Sequence, residues 1–126
     1  MTFGQAFNIE CLNTFFLVFV VLAFTQRPQI PKMAYGGAIG FMLGMLICGT
    51  GKLTGCAANP FRALGPNLIN GDFYELLVYL TAPFVGSLFA GIVFYFIIDK
   101  DHSTAGKAEA ELRAKDIEGE FENLEN

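Results

Sequence analysis

The stretch from Gly55 to Pro66 separates two long apolar runs and constrains the fold more than any other part of the chain. Asn59 is a favoured N-cap residue, and the proline after it suits the first helical position because its missing N–H would be unpaired there anyway. The pattern predicts a helix from Asn59 that Pro66 and the Asn70-Gly71 pair limit to about two turns. Such a helix is roughly 10–15 Å long, which is too short to cross a hydrocarbon core of about 30 Å.

A half-helix between membrane spans has to be shielded from lipid. Irregular backbone at membrane depth is tolerated only where it is buried in protein or lines a water-filled cavity. The helix start offers free N–H groups, the Asn59 side chain and the positive end of the helix dipole. Arg62 adds a permanent cation with several donors one turn later. Such a site accommodates water, carbonyl groups or anions and repels cations and protons.

Composition and charge divide the chain in two. It is 53% hydrophobic and 16% charged, which is more apolar and less charged than a soluble domain. Residues 1–98 contain three acidic and four basic residues, whereas residues 99–126 contain nine acidic and four basic ones. We therefore expect a membrane domain over residues 1–100 and an acidic tail over residues 101–126.

Three apolar runs are predicted to form membrane-spanning helices. They cover residues 12–24 with an amphipathic approach from Phe3, residues 33–48, and residues 76–98. The third run has 23 residues and no charge, which is long enough to cross the hydrocarbon core. The sequence therefore predicts an all-α membrane protein with three transmembrane helices and one re-entrant half-helix.

Small residues in two of these runs indicate close helix packing. Gly36, Gly40 and Gly44 follow a four-residue spacing, which removes side chains from one face and lets another backbone approach. This stripe predicts close contact without naming the partner. A second small-residue face in the third run consists of Gly86, Ala90 and Gly91.

Glu10 lies at the edge of the first run. A carboxylate there is costly unless it is paired or hydrogen-bonded, so we expect it to face the protein interior with a function. The alternative is that Glu10 ends the helix in the headgroup layer.

Positive charge in short loops indicates orientation. Arg27 and Lys32 lie between the first two spans, and two further bases lie on the opposite side. Four bases follow the third span, namely Lys100, Lys107, Arg113 and Lys115. With three spans, the first loop and the tail share one side, which we expect to be cytoplasmic or its equivalent.

Several functional classes have no support. The densest charge is acidic and there is no basic face, which argues against nucleic-acid binding. The single histidine, His102, lies in the tail, and no catalytic set or metal-ligand cluster occurs, so we expect no enzyme, metal site or cofactor. Cys11, Cys48 and Cys56 lie in or beside apolar runs without a C-x-x-C pair and are expected to be buried thiols.

Several motifs follow one another along the chain. They are Glu10-x-x-x-Thr14-Phe15-x-Leu17-Val18-Phe19, the glycine-rich second span, Thr54-Gly55-Cys56, Asn59-Pro60-Phe61-Arg62-Ala63-Leu64-Gly65-Pro66 and Ala82-Pro83-Phe84-Val85-Gly86. An isolated Asn-Pro would mean little, but this ordered set over residues 4–100 resembles the second half of an aquaporin-type major intrinsic protein. The resemblance implies a fold equivalent to one inverted repeat of that family.

The resemblance also implies a channel for water or small neutral solutes in which two half-helices meet at mid-membrane. It assigns the pore half-helix motif to Asn59, Pro60 and Phe61, the selectivity filter to Arg62, Ile47 and Cys56, the pore carbonyls to Gly55, Cys56 and Ala57, and the pore wall to Leu17, Leu43 and Ala58. It further implies that Glu10 supports the loop through the loop's backbone N–H groups.

The sequence departs from the family pattern in ways that leave selectivity open. The family's first half, with three spans and another Asn-Pro-Ala box, is absent from this sequence. Phe61 stands where a small residue is usual, and Ile47 stands where strict water channels have His, which suggests a wider and less polar filter. Ala63 replaces the Asp typical of glycerol conductors, and Leu80 lies where water channels often have Trp.

Two hypotheses follow. In the first, a partner chain supplies the missing half-channel, with further association into the tetramers usual for the family. A homodimer would require opposite insertion, which the charge bias disfavours. In the second, the chain is a non-conducting structural subunit of a larger membrane complex, in which Phe61 plugs the cavity. Membrane lipid is a partner in both.

Overall fold

The described structure consists of helices and the loops that join them. The computed structural model describes residues 1–27, 30–71, 73 and 76–99. In chain order these form α1, Phe3–Thr25, α2, Lys32–Thr54, α3, Pro60–Asn70, α4, Leu76–Phe94, and a π-helical segment, Tyr95–Asp99. These residues contain no strand, and the all-α prediction is confirmed.

The chain divides into two compact units, Met1–Phe94 and Tyr95–Asn126. In the second unit, the rings of Tyr95 and Phe96 meet edge to face with centroids 5.4 Å apart. The predicted acidic tail, residues 101–126, lies outside the described residues.

Within the part of the chain that the structure describes, three helices are long and apolar enough to cross a membrane, which agrees with the predicted spans. They are Phe3–Thr25, Lys32–Thr54 and Leu76–Ile98, each of 23 residues. The second is longer than its apolar run predicts, because it continues to Thr54 and ends where Gly55 adopts a left-handed conformation with φ 77°.

The half-helix is one turn longer than predicted. Pro66 lies inside α3, and the helix continues to Asn70, where Gly71 ends it with φ 70°. A proline removes one i→i−4 hydrogen bond and need not end a helix whose other bonds persist. At 11 residues, α3 is about 16 Å long, so it remains too short to span a membrane.

The first unit is built around α1 and α4. Helix α1 packs mainly on α4 and less on α2, and α3 packs on α4. The two helices approach closely at Gly86, where an added Cβ would collide with the Cys11 carbonyl and lie 3.1 Å from the Phe15 nitrogen. Ala6, Val78 and Ala82 form the buried cluster beside this crossing.

The glycine stripe of α2 has no neighbour within the described part of the chain. Nothing lies within 4 Å of a Cβ added at Gly36, Gly40 or Gly44. None of the most apolar part of α2 is buried. A helix that packs on this stripe is therefore not α1, α3 or α4.

Candidate functional site

The site begins at the cap of α3. Asn59 has an extended backbone, with φ −157° and ψ 126°, and its side chain accepts a hydrogen bond from the Phe61 N–H. The distance from the Phe61 nitrogen to Asn59 Oδ1 is 2.9 Å. Pro60 occupies the first helical position, where it sacrifices no helical bond. Because Oδ1 is engaged, the exposed Asn59 side chain has its Nδ2 amino group left to donate.

The loop of residues 55–58 leads into this cap and is held in an unusual conformation. Cys56 and Ala58 have positive φ values, 46° and 48°. A left-handed conformation at a non-glycine residue costs on the order of 1–3 kcal/mol and persists only where the surroundings impose it. Cys56 is 0% exposed, and Ala57 and Ala58 are also buried.

Glu10 supplies the main restraint on this loop. Its carboxylate is 0% exposed, and its two oxygens accept from the Ala57 N–H at 3.1 Å and the Ala58 N–H at 2.9 Å. Thr14, one turn further along α1, donates its hydroxyl to the Glu10 carbonyl at 2.9 Å. The two bonds from the loop N–H groups to the carboxylate are charge-assisted, and such bonds are roughly twice as strong as neutral ones. A side chain on the first helix therefore fixes the backbone just before the third.

A second restraint comes from α4. The Tyr79 hydroxyl donates to the Thr54 carbonyl at 2.7 Å, and both residues are buried. The Cys56 N–H donates to Thr54 Oγ1 at 3.3 Å. Tyr79 was not predicted as a site residue from the sequence. The only available signal was that a tyrosine in an apolar helix needs a partner for its hydroxyl.

Arg62 lies over the loop carbonyls. Its Nη1 atom is 3.4 Å from both the Cys56 and the Ala57 carbonyl oxygens. The guanidinium borders an open cleft of about 260 Å³ lined by Thr54, Gly55, Ala57, Arg62, Ala63, Pro66, Asn67 and Tyr79. A permanent cation thus lies beside two loop carbonyl oxygens and borders a cleft whose lining is partly polar and partly apolar.

The structure brings some of the predicted site residues together and leaves others open. Glu10, the loop and Arg62 form one contacting group, with Asn59 at its end. Phe61 is 79% exposed and Ile47 is 42% exposed. The predicted wall residues Leu17 and Leu43 are half-buried, on α1 and α2 respectively.

The cysteines behave differently from one another. All three are free thiols, but only Cys56 is buried, while Cys11 is half-buried and Cys48 is exposed. The prediction of three buried thiols was therefore wrong for Cys48, because α2 has little packed against it, and it holds only in part for the half-buried Cys11. Among the residues that the structure describes, no group of three histidine, cysteine or acidic side chains could hold a metal ion.

Comparison with known proteins identifies the family. The family model described as Major intrinsic protein matches residues 1–94. The chain belongs to the major intrinsic protein family. Aquaporins are channels in this family, so the chain is related to membrane channels and not to enzymes.

Relatives in the major intrinsic protein family come from plants and animals. Nodulin-26 of Glycine max is 35% identical over 114 residues, which cover 88% of this chain and 42% of that protein. Aquaporin-1 of Ovis aries is 31% identical over 131 residues, covering 94% of this chain and 48% of that protein. Aquaporin TIP2-3 of Arabidopsis thaliana is 33% identical over 88 residues, 68% of this chain and 35% of that protein. The chain thus spans between a third and a half of the length of these relatives.

Proposed function

We propose that this chain forms one half of an aquaporin-like channel for water or small neutral solutes, completed by a partner chain. The observation that supports this most is the loop of residues 55–58, which Glu10 holds at the capped start of a half-helix. The loop and cap offer donors and acceptors at membrane depth, where an unmatched polar group costs several kcal/mol. A polar stripe of this kind has to be buried in protein or line a water-filled cavity, and a channel provides the second.

The proposed roles follow from the contacts. The left-handed residues at 56 and 58 turn the backbone so that the carbonyls of residues 55–57 can serve as acceptors for water. The Asn59 amide donates to the same water molecules from the end of this row of carbonyls. Arg62 and the positive end of the α3 dipole oppose cations and protons. Ile47 makes the filter less polar on its side and favours small neutral solutes beside water.

The need for a second half-channel follows from the exposure of side chains that are proposed to lie inside a pore. Phe61, Asn59 and Ile47 are exposed in this chain, although their proposed places are inside a pore. The apolar part of α2 is unburied. Pores of inverted-repeat proteins form between two halves. We propose that the partner supplies three more spans and the opposing half-helix, and that complete pores associate further, as in the tetramers of this family.

Water flux in liposomes tests this function. The chain is purified from its native membrane together with any chain that binds it, and flux is compared for the complex, for this chain alone, and for complexes carrying Asn59→Ala or Arg62→Ala. We expect flux from the complex only. Asn59→Ala should reduce it, and Arg62→Ala should admit ions.

Two results would contradict the proposal. One is flux from this chain alone at the rate of the complex. The other is purification of the complementary helices as part of the same polypeptide. Asn8→Ala, a change at an exposed position of α1, is the control and should leave flux unchanged.

The second candidate is a non-conducting structural subunit. The observation that favours it is Phe61, a large side chain that stands 79% exposed in the first turn of α3, where it could fill the space between two half-helices. Water flux through the complex carrying Phe61→Ala distinguishes the two proposed functions. If the native complex conducts no water and the Phe61→Ala complex does, Phe61 blocks the pore. The structural-subunit proposal is then supported and the channel proposal fails.

We also propose that the tail lies on the cytoplasmic side. The positive charges of the first loop and the tail support this orientation. A cysteine introduced at residue 103 in a chain whose three native cysteines are replaced by alanine should react with a membrane-impermeant maleimide only after the vesicle is opened. Labelling in sealed, right-side-out vesicles would place the tail outside.

A further inference from the structure

A polar contact, buried at Asn13 and half-buried at Thr50, joins α1 to α2 one turn beyond Glu10. Asn13 is 2% exposed. Its Nδ2 donates to Thr50 Oγ1 at 2.9 Å, and its Oδ1 lies 3.2 Å from the same hydroxyl. An amide buried among apolar helices is costly unless it is hydrogen-bonded. The Asn13 amide thus has the Thr50 hydroxyl as its partner, and neither residue was assigned a role from the sequence.

Thr50 also bonds to its own helix, close to where the loop begins. Its hydroxyl donates to the Leu46 carbonyl at 2.8 Å, and one turn later the Gly55 N–H at the start of the loop donates to the Gly51 carbonyl at 3.0 Å. A hydroxyl has one proton and two acceptor lone pairs. Donation to Leu46 therefore leaves a lone pair for the Asn13 amide, and the two bonds together fix the orientation of the Thr50 side chain.

We propose that Asn13 and Thr50 are positioning residues for the loop of residues 55–58. Their hydrogen bond fixes the end of α2 against α1. The last turn of α2 then sets where Cys56 lies, because the Cys56 N–H donates to Thr54 Oγ1 at 3.3 Å. Glu10 holds the next two residues from the same helix. Side chains one turn apart on α1 thus determine the path of three consecutive loop residues. An effect on permeation follows only if the proposed channel function holds, whereas the positioning itself does not depend on it.

Reactivity of the Cys56 thiol tests the positioning. Cys11 and Cys48 are replaced by alanine in the full chain in lipid vesicles, so that Cys56 is the only thiol, and its rate of modification by N-ethylmaleimide is measured. A buried thiol reacts when its surroundings open. Thr50→Val keeps the shape of the side chain and removes the hydroxyl. Asn13→Leu removes the other partner.

We expect both changes to raise the Cys56 rate by about threefold to twentyfold, the range for one interhelical hydrogen bond in a membrane protein. Thr50→Ser retains the hydroxyl and should keep the original rate. Thr81→Val is the matched control, because the Thr81 hydroxyl donates only to its own helix, to the Leu77 carbonyl at 2.7 Å. It should leave the rate unchanged.

The double variant distinguishes positioning from general stability. If the two residues act through each other, Asn13→Leu with Thr50→Val should react no faster than Thr50→Val alone. The proposal is overturned if the two effects multiply, if Thr50→Val behaves like Thr81→Val, or if thermal stability falls while the Cys56 rate stays the same. Should Asn13→Leu fail to fold, Thr50→Val and Thr50→Ser decide the question. This assay needs no permeation, so it can fail or succeed independently of the channel.

Discussion

At the scale of single residues, Glu10 carries the largest expected effect. Glu10→Gln replaces one carboxylate oxygen by an amino group, which places a donor against a loop N–H that is itself a donor. Hydrogen bonds to a charged group contribute about 1.5–3 kcal/mol each, so we expect the free energy of unfolding to fall by about 2–4 kcal/mol. Thermal unfolding in detergent measures this loss. Gln5→Ala, at the exposed start of α1, should cost less than half as much, and equal losses would show that Glu10 does not hold the loop.

Tyr79 offers a matched comparison within the same chain. Tyr79→Phe leaves the buried Thr54 carbonyl without its 2.7 Å donor, and we expect a loss of about 1–3 kcal/mol. Tyr35→Phe removes a similar bond, from the Tyr35 hydroxyl to the Arg27 carbonyl at 3.2 Å, at an exposed site. Water can replace that bond, so this loss should stay below about 0.5 kcal/mol. Similar unfolding midpoints for the two variants would contradict the role of Tyr79.

At the scale of helices, the crossing of α1 and α4 depends on one missing side chain. Gly86→Ala places a methyl group against the Cys11 carbonyl, and we expect the helices to separate at a cost of about 1–3 kcal/mol. Gly91→Ala lies on the same helix with nothing within 4 Å of the new methyl group. It should be neutral or slightly stabilising, because alanine favours helix more than glycine does. Thermal unfolding of both variants gives the comparison, and equal losses would show that the close approach is not what Gly86 provides.

At the scale of the whole molecule, a change on the glycine stripe of α2 should affect assembly with a partner and leave the folding of this chain unaffected. Gly40→Leu adds a side chain where this chain has empty space, so its own thermal stability should remain unchanged. If the stripe receives the proposed partner, the same change should lower recovery of the complex by about tenfold or more, as a clash of about 1.4 kcal/mol would do. Gly49→Leu, on the opposite face of α2 and equally unobstructed, is the control. Equal recovery of both complexes would exclude the glycine stripe as the interface.

The sequence predicts those features that depend on local chemistry. The cap and proline at the start of α3 indicate where that helix begins, and three apolar runs indicate the spans. The length of α3 was underestimated because a proline inside a helix can be tolerated. The Asn13–Thr50 and Tyr79–Thr54 bonds join residues 37 and 25 positions apart. Such pairs depend on how helices are rotated against one another, which no periodicity in a single run reveals.

The bond between Glu10 and the loop links positions 47 residues apart, while the next residue of α1, Cys11, lies against Gly86 of α4. One extra residue between Glu10 and Cys11 would turn the carboxylate by about 100° relative to that crossing and carry it away from Ala57 and Ala58. Substitutions in α1 can be tolerated according to their volume, but insertions cannot. The shape of the loop of residues 55–58 therefore depends on the rotational phase of α1, a helix that is synthesised before the loop itself.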